Sequence, residues 1–232
     1  MKKEIFVISL GGSLIVPKDG IDIGFLKKFK KLIEGFTKKG CRFILVCGGG
    51  RTARDYQNAA RKITKLTRDD LDWLGIHATR LNGHTVRTIF RNIAHPVMIT
   101  DPTEKVRFRE KVLIGAGWKP GWSTDYDAVL LAKLYGAKKV INLTNVDYLY
   151  DKNPSAYKDA KKIKEIDWKG FRKIVGNKWD PGANTPFDPI ASREAQKLRL
   201  ELVLANGKKL KNLEKIIKGE RFVGSRVMPD LL

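Results

Sequence analysis

Apolar residues fall along this chain in two alternating rhythms: short continuous runs, and longer stretches at helical spacing. The first run covers 4–10, contains Ile5, Val7 and Ile8, and ends in Gly11-Gly12-Ser13. It predicts a strand buried on both faces that enters a tight loop. Asp22 then caps a helix in which Phe25, Leu26, Phe29, Leu32, Ile33 and Phe36 recur every three or four residues, with Gly40 as the stop. A second buried run, 42–47, closes on Gly48-Gly49-Gly50. The stretch 52–92 reads as two helices broken near 67–69, with Asp69 capping the second and His95-Pro96 beyond its end. Short strands are expected at 97–100 and 111–114, followed by a structured Gly-, Trp- and Pro-rich loop over 115–123. Ser123 or Thr124 caps the next helix, which ends at Tyr135-Gly136, and 139–143 is another strand. The remainder reads as a turn-rich stretch (144–167), a helix (168–175), a loop (176–186), a helix (188–198), a strand (201–205), a helix (210–218) and a last strand (222–227).

This order predicts one α/β domain over residues 1–232. A mostly parallel central sheet is sandwiched by helices, with two lobes dividing near residue 137. With 232 residues, 42% of them hydrophobic, folding buries roughly 70% of the surface the unfolded chain exposes. No disulfide or metal is needed for that. The two cysteines, Cys41 and Cys47, flank the second strand and match no zinc or redox spacing, which fits a reducing cytoplasm. No run of about 20 apolar residues is present, so no membrane span is expected.

Charge adds a second layer. Lys and Arg number 46 against 25 acids, a net of +21, which favours anionic partners. The lysines cluster on helix exteriors and turns, where a solvated surface accounts for them. Nucleic acid is compatible with this balance but is not predicted by it.

The chemistry gathers where strands end. Gly11-Gly12-Ser13 lets a backbone approach a phosphate and aim N–H groups at it. Gly48-Gly49-Gly50 opens a helix whose N-terminus favours an anion, with Arg54 in its first turns able to fork onto phosphate oxygens. Trp118-Lys119-Pro120-Gly121-Trp122-Ser123-Thr124-Asp125 supplies hydroxyls that can cap a helix or hold phosphate, and a carboxylate that is either a first-turn acid or an active-site group. Thr144-Asn145-Val146-Asp147 leads to Tyr148 and Tyr150, aromatics able to stack on a base. Ligands of open α/β sheets bind at this carboxyl edge. No P-loop G-x-x-x-x-G-K-[ST], no G-x-G-x-x-G and no H-E-x-x-H occurs, and His77, His84 and His95 do not cluster. Two phosphate cradles without a P-loop suggest phosphoryl transfer by another route.

Taken in order, these motifs, with Asp72-Trp73-Leu74-Gly75 running on to Thr79-Arg80-Leu81-Asn82, and with Asp188-Pro189, make the chain resemble the amino-acid kinase superfamily. Within it the resemblance is to archaeal-type UMP kinases. It implies transfer of the γ-phosphate of Mg-ATP to UMP in pyrimidine nucleotide biosynthesis, by a homo-oligomer, a dimer or a hexamer. It implies ATP in the C-terminal lobe, with Thr144, Tyr150 and Asn153 around the adenine and ribose and Gly12, Ser13, Gly50 and Arg54 at the phosphates. UMP would lie in the N-terminal lobe against Gly49, Asp72 and the loop Trp118, Lys119, Pro120, Gly121, Trp122, Ser123 and Thr124. Arg54 and Asp125 would be catalytic, with Asp125 orienting the metal's shell or a nearby cation. No residue is assigned as a metal ligand.

Departures from the family pattern are specific. Many members carry a lysine two residues before the Gly-Gly pair, where this chain has Ser9. Asn142 likewise stands for a lysine, Tyr148 for a glycine and Asn153 for an aspartate, and the loop 178–184 differs from the usual glycine/serine run. Lys178 is a candidate replacement for a lost lysine. The alternatives are a non-catalytic nucleotide-, RNA- or oxyanion-binding member of the same fold, or a kinase forming an acyl phosphate on a small molecule.

Overall fold

The protein was analysed as a computed structural model, which describes residues 4–152, 154, 156–178 and 185–230. In chain order the elements are β1 (Ile5–Leu10), α1 (Gly12–Ile15), α2 (Ile23–Thr37), β2 (Arg42–Cys47), α3 (Gly50–Ile63), α4 (Arg68–Ile89), β3 (Val112–Gly115), α5 (Thr124–Tyr135), β4 (Lys139–Thr144), β5 (Leu149–Tyr150), β6 (Lys162–Ile163), β7 (Glu165–Asp167), α6 (Trp168–Val175), α7 (Pro189–Lys197), β8 (Glu201–Asn206), α8 (Leu210–Lys218) and β9 (Ser225–Met228). Seven strands form one sheet in the order β3-β2-β1-β4-β8-β9-β7. All neighbours are parallel except β8 and β9. β5 and β6 make a separate antiparallel pair.

The continuous apolar runs follow from burial on both faces of this sheet. Successive side chains of a strand alternate sides. In β1, Phe6, Ile8 and Leu10 join the layer formed with α2 and α8, while Val7 joins the layer formed with α5, α6 and α7. The amphipathic pattern of α2 lays Phe25, Phe29 and Ile33 onto the first layer and leaves Lys27, Lys28, Lys31 and Lys38 exposed. These four lysines thus form a solvated helix face.

Helix starts follow capping chemistry. Asp22 accepts from the Phe25 N–H at 2.8 Å, and Ser123, not Thr124, caps α5 by accepting from the Tyr126 N–H at 3.3 Å. α4 is capped by Thr67 rather than by the expected Asp69. Thr67 and Asp70 form a reciprocal capping box, which satisfies two donors where a cap at Asp69 satisfies one. The expected strand at 97–100 is absent. Only single-residue bridges occur, Ala94 to Val112 and Ile99 to Gly115, because Pro96 brings no N–H to a ladder and Val97 points to solvent. The turn-rich stretch hides β5, β6 and β7, and the last strand starts at Ser225 rather than 222.

At the carboxyl edge two turns touch through their backbones. Gly11 N–H donates to Leu143 O at 3.0 Å and Gly48 N–H to Leu10 O at 3.0 Å, which draws the ends of β1, β2 and β4 together. A Cβ on Gly12 would overlap the Gly50 backbone, and one on Gly50 would overlap Gly12. Gly50 also has φ +60, a left-handed conformation that glycine adopts freely. Gly35, on the exposed side of α2, meets nothing within 4 Å. The same substitution should therefore act in opposite directions. Gly12→Ala should destabilise by about 3 kcal/mol or more, and Gly35→Ala should stabilise by about 0.5–1 kcal/mol through helix propensity. Denaturant titration of both variants checks this, and a Gly12→Ala variant as stable as the parent would remove the contact from the account.

Candidate functional site

Two clefts open along the carboxyl edge of the sheet. One, of roughly 260 Å³, is lined by Gly49, Gly50, Arg54, Gln57, Asp72, Thr79, Gly117, Trp122, Ser123, Thr124, Asp125 and Asp188 among others. The other, of roughly 350 Å³, is lined by Thr144, Asn145, Val146, Tyr148, Tyr150, Lys152, Pro154, Ile174 and Pro186 among others. Thr185 lines both, so the clefts meet there.

The residues expected around an adenine, Thr144 and Tyr150, line the larger cleft, and Asn153 lies outside the described residues. Gly49, Gly50, Arg54, Asp72, Trp122, Ser123, Thr124 and Asp125 share the smaller one. Gly12 lies behind Gly50 rather than in the lining, and Ser13 follows it in α1. Trp118, Lys119, Pro120 and Gly121 line neither cleft. They form an outer wall in which Trp118 packs on Trp122 with centroids 6.0 Å apart, Trp122 on Tyr126 at 4.2 Å, and the Lys119 ammonium sits 3.9 Å from the Trp118 ring. Lys178 is exposed, and 179–184 lie outside the described residues.

One helix fastens both walls of the smaller cleft. Positions 72, 79 and 82 of α4 fall seven and three residues apart, on one face. Asn82 Nδ2 donates to Gly48 O at 2.9 Å and to Gly49 O at 3.0 Å. Thr79 Oγ1 accepts from Gly117 N–H at 2.8 Å and donates to Ile76 O at 2.6 Å. Arg80 donates to Gly117 O at 3.1 Å and Trp118 O at 2.8 Å, and Asp72 Oδ2 accepts from Gly121 N–H at 2.7 Å. Turning carbonyls of Gly48 and Gly49 toward Asn82 leaves Gly50 free to open α3 with its N-terminus on the cleft. Arg54, in that helix, is exposed and forms no ion pair among the described residues. The sequence marks Thr79, Arg80 and Asn82 only as part of a motif and does not show what each holds. The available signal was three polar residues on the inward side of a helix that also carries Ile76 and Val86.

Carboxylates form the floor. Asp125 Oδ1 accepts from the Ser9 hydroxyl at 3.0 Å and Oδ2 from the Asp188 N–H at 3.2 Å. Burial, then the neighbouring charge of Asp188, pushes Asp125 up to about 7. Burial also raises Asp188, whose Oδ1 caps α7 by accepting from the Ala191 N–H at 2.6 Å. Among the described residues, no three His, Cys, Asp or Glu side chains cluster to hold a metal ion. Asp125 and Asp188 alone do not make a cage of side chains for a metal ion, so a hard cation here would be held largely by the ligand's phosphates.

The arrangement can therefore take two ligands end to end, one against glycine-turn N–H groups and Arg54, the other against Tyr148 and Tyr150. The model of the amino acid kinase family matches residues 4–206. The chain belongs to the amino acid kinase family. It is 33% identical to the uridylate kinase of Thermoplasma acidophilum over 233 residues, 98% of each chain. It is 32% identical to the uridylate kinase of Methanobrevibacter smithii, over 96% of this chain and 98% of that one. Its structure matches the crystal structure of the Archaeoglobus fulgidus uridylate kinase with a TM-score of 0.81 at 29% identity, covering 97% of this chain and 99% of that one. The expected fold class, a mostly parallel sheet between helices as in this family, is what the structure has. No helix among the described residues is long and apolar enough to cross a membrane.

Asp127 stands apart from the cleft. It lies 1% exposed on the inner face of α5, and among the described residues neither carboxyl oxygen completes a hydrogen bond. Burial raises it well above the ordinary carboxylate range, and the Trp118 backbone and Arg80 offset this only in part. A carboxylate raised on folding holds a proton that the unfolded chain gives up, so its stability contribution worsens as pH rises above the unfolded value. Asp127→Asn should raise Tm, and by more at pH 8 than at pH 5, with roughly 2–4 °C for each kcal/mol recovered. Thermal melts at the two pH values check it, and an equal shift at both would contradict it.

Proposed function

We propose that this protein is a UMP kinase: UMP occupies the smaller cleft, ATP the larger, and the γ-phosphoryl passes between them where the clefts meet. The observation that carries the reading is the junction at Thr185 of two clefts with different chemistry, one rich in backbone donors and one aromatic. The near full-length similarity to archaeal uridylate kinases supports it from a second direction.

A UMP phosphate oxygen attacks the γ-phosphorus in line, the bond from that phosphorus to the β-bridging oxygen breaks, and UDP and ADP leave. Phosphoryl transfer asks a protein for alignment and for positive charge around the equatorial oxygens. Here the N–H groups opening α3 supply preorganised donors, and Arg54 supplies a guanidinium whose fork matches phosphate oxygens. Asp72, held by Gly121 N–H through one oxygen, offers the other to the ribose hydroxyls of the acceptor. The side chains of Thr144 and Tyr150 hold the adenosine end. Magnesium belongs with the nucleotide phosphates rather than with a cage of side chains, and it supplies further positive charge there. The two lobes divide the work, acceptor on the N-terminal side and donor on the C-terminal side. The family resemblance also implies a homo-oligomer.

A non-catalytic reading keeps one observation on its side: Ser9 and Asn142 leave the sheet floor without the lysines common in the family. ADP release from Mg-ATP, followed by a coupled assay with UMP, CMP, dUMP, AMP, carbamate and N-acetylglutamate, separates the readings. Turnover with UMP is expected. Folded, ATP-binding protein that turns over none of them is not a kinase of this class. Arg54→Ala should lower kcat by about 100-fold or more, the usual effect of deleting a donor aimed at transition-state charge. Asp72→Ala should raise the KM for UMP and leave that for ATP near its parent value. A change confined to ATP would mean that the two clefts are assigned the wrong way round.

A further inference from the structure

Ser9 and Asn142, the two positions that lack a family lysine, are register partners on β1 and β4. Both are buried, at 4% and 6% exposure. Ser9 holds Asp125 at 3.0 Å, Asp125 accepts from the Asp188 N–H at 3.2 Å, and Asn142 Nδ2 donates to Pro186 O at 2.9 Å. Two adjacent strands, the first turn of α5 and the segment leading into α7 thus close a ring of hydrogen bonds. It lies under the junction of the two clefts, and Asp125 and Asp188 face the smaller one.

The ring contains two carboxylates and no cation. What acts on Asp125 is burial, the charge of Asp188 from α7, the hydroxyl of Ser9 from β1 and the Asp188 N–H. Asp127, from the same helix as Asp125, adds a third buried acid nearby, and Arg80 of α4 faces Asp127. A phosphate entering this cleft brings further negative charge. Two buried carboxylates and a phosphate crowded together cannot all stay ionised, and the weakest acid keeps a proton. In relatives with the lysines, an ammonium would remove that conflict.

We propose that this ring is a neutral substitute for the missing lysine: with nucleotide bound, Asp125 is a carboxylic acid that donates a hydrogen bond to a phosphate oxygen. Ser9 is the positioning residue that fixes the carboxyl in place. One proton comes from solvent as the ligand binds, stays on Asp125 and is not passed to substrate or product. The proposal rests on the smaller cleft being the acceptor-phosphate site.

Calorimetry of UMP binding to protein saturated with MgADP tests it, since that pair cannot react. At pH 8, titrations in two buffers of different ionisation enthalpy give the protons taken up per UMP bound. The parent protein should take up most of one proton. Ser9→Lys, with an ammonium beside the carboxylate, and Asp125→Asn, with nothing to protonate, should take up close to none. Either variant suffices if the other does not fold. No uptake by the parent, or the same uptake in the variants, overturns the proposal. UDP formation without proton uptake leaves the kinase reading intact and removes this one, uptake without UDP formation does the reverse, and absence of UMP binding removes both.

Discussion

The backbone contact between Gly12 and the turn Gly48–Gly50 sets the geometry of everything at the carboxyl edge. Parallel strands β1 and β2 end level with each other because their registers run in step from Ile5 and Arg42 to Leu10 and Cys47. Two chains leaving neighbouring strands at the same height must either diverge or pass within touching distance. Here they touch, which only residues without a Cβ allow at Gly12 and Gly50. The contact directs the N-terminus of α3 into the cleft, where Arg51 N–H is spent on Val16 O at 3.0 Å and the other N–H groups of the opening turn are left to hold an anion.

A second constraint converts that contact into a site. α4 spans the outside of the cleft and ties the glycine turn through Asn82 and the opposite loop through Thr79, Arg80 and Asp72. The walls are held by hydrogen bonds to main-chain groups, so their separation does not depend on the identity of the loop side chains. That frees the loop to carry Trp118 and Trp122, of which Trp122 lines the cleft and stacks on Tyr126 of α5. Beneath the walls, the ring through Ser9, Asp125, Pro186 and Asn142 joins the two halves of the sheet by neutral donors in place of charged ones.

Much of this was legible before any coordinates. The runs 4–10 and 42–47 announced strands buried on both sides, since an unbroken apolar run of that length has no solvent face. Glycine clusters directly after them marked the cleft. The first helix cap was readable because Asp22 had no rival, whereas Thr67, Asp69 and Asp70 all had capping chemistry and only the reciprocal pair of Thr67 with Asp70 decided between them. Residues 97–100 have strand composition, yet Pro96 and the exposed Val97 keep them to a single bridge. The short pairing of β5 with β6 joins residues more than ten positions apart across turns, which no local pattern encodes. For the site, Gly49, Gly50, Arg54 and Asp125 carried local signals that pointed to one edge, whereas Asp72 entered only through the family resemblance. The closed ring carried none, because it depends on the register of β1 with β4, and the tasks of Arg80 and Asn82 depend on which carbonyls α4 happens to cross.

The central claim is that donor and acceptor occupy separate clefts that meet at the glycine junction. A crystal structure with UMP and a non-hydrolysable ATP analogue bound together tests it most directly. The account predicts the adenine against Thr144 and Tyr150, the UMP phosphate between the Gly49-Gly50 turn and Arg54, and the two phosphate chains meeting beside Thr185. Both nucleotides in one cleft, or their positions exchanged, would contradict it.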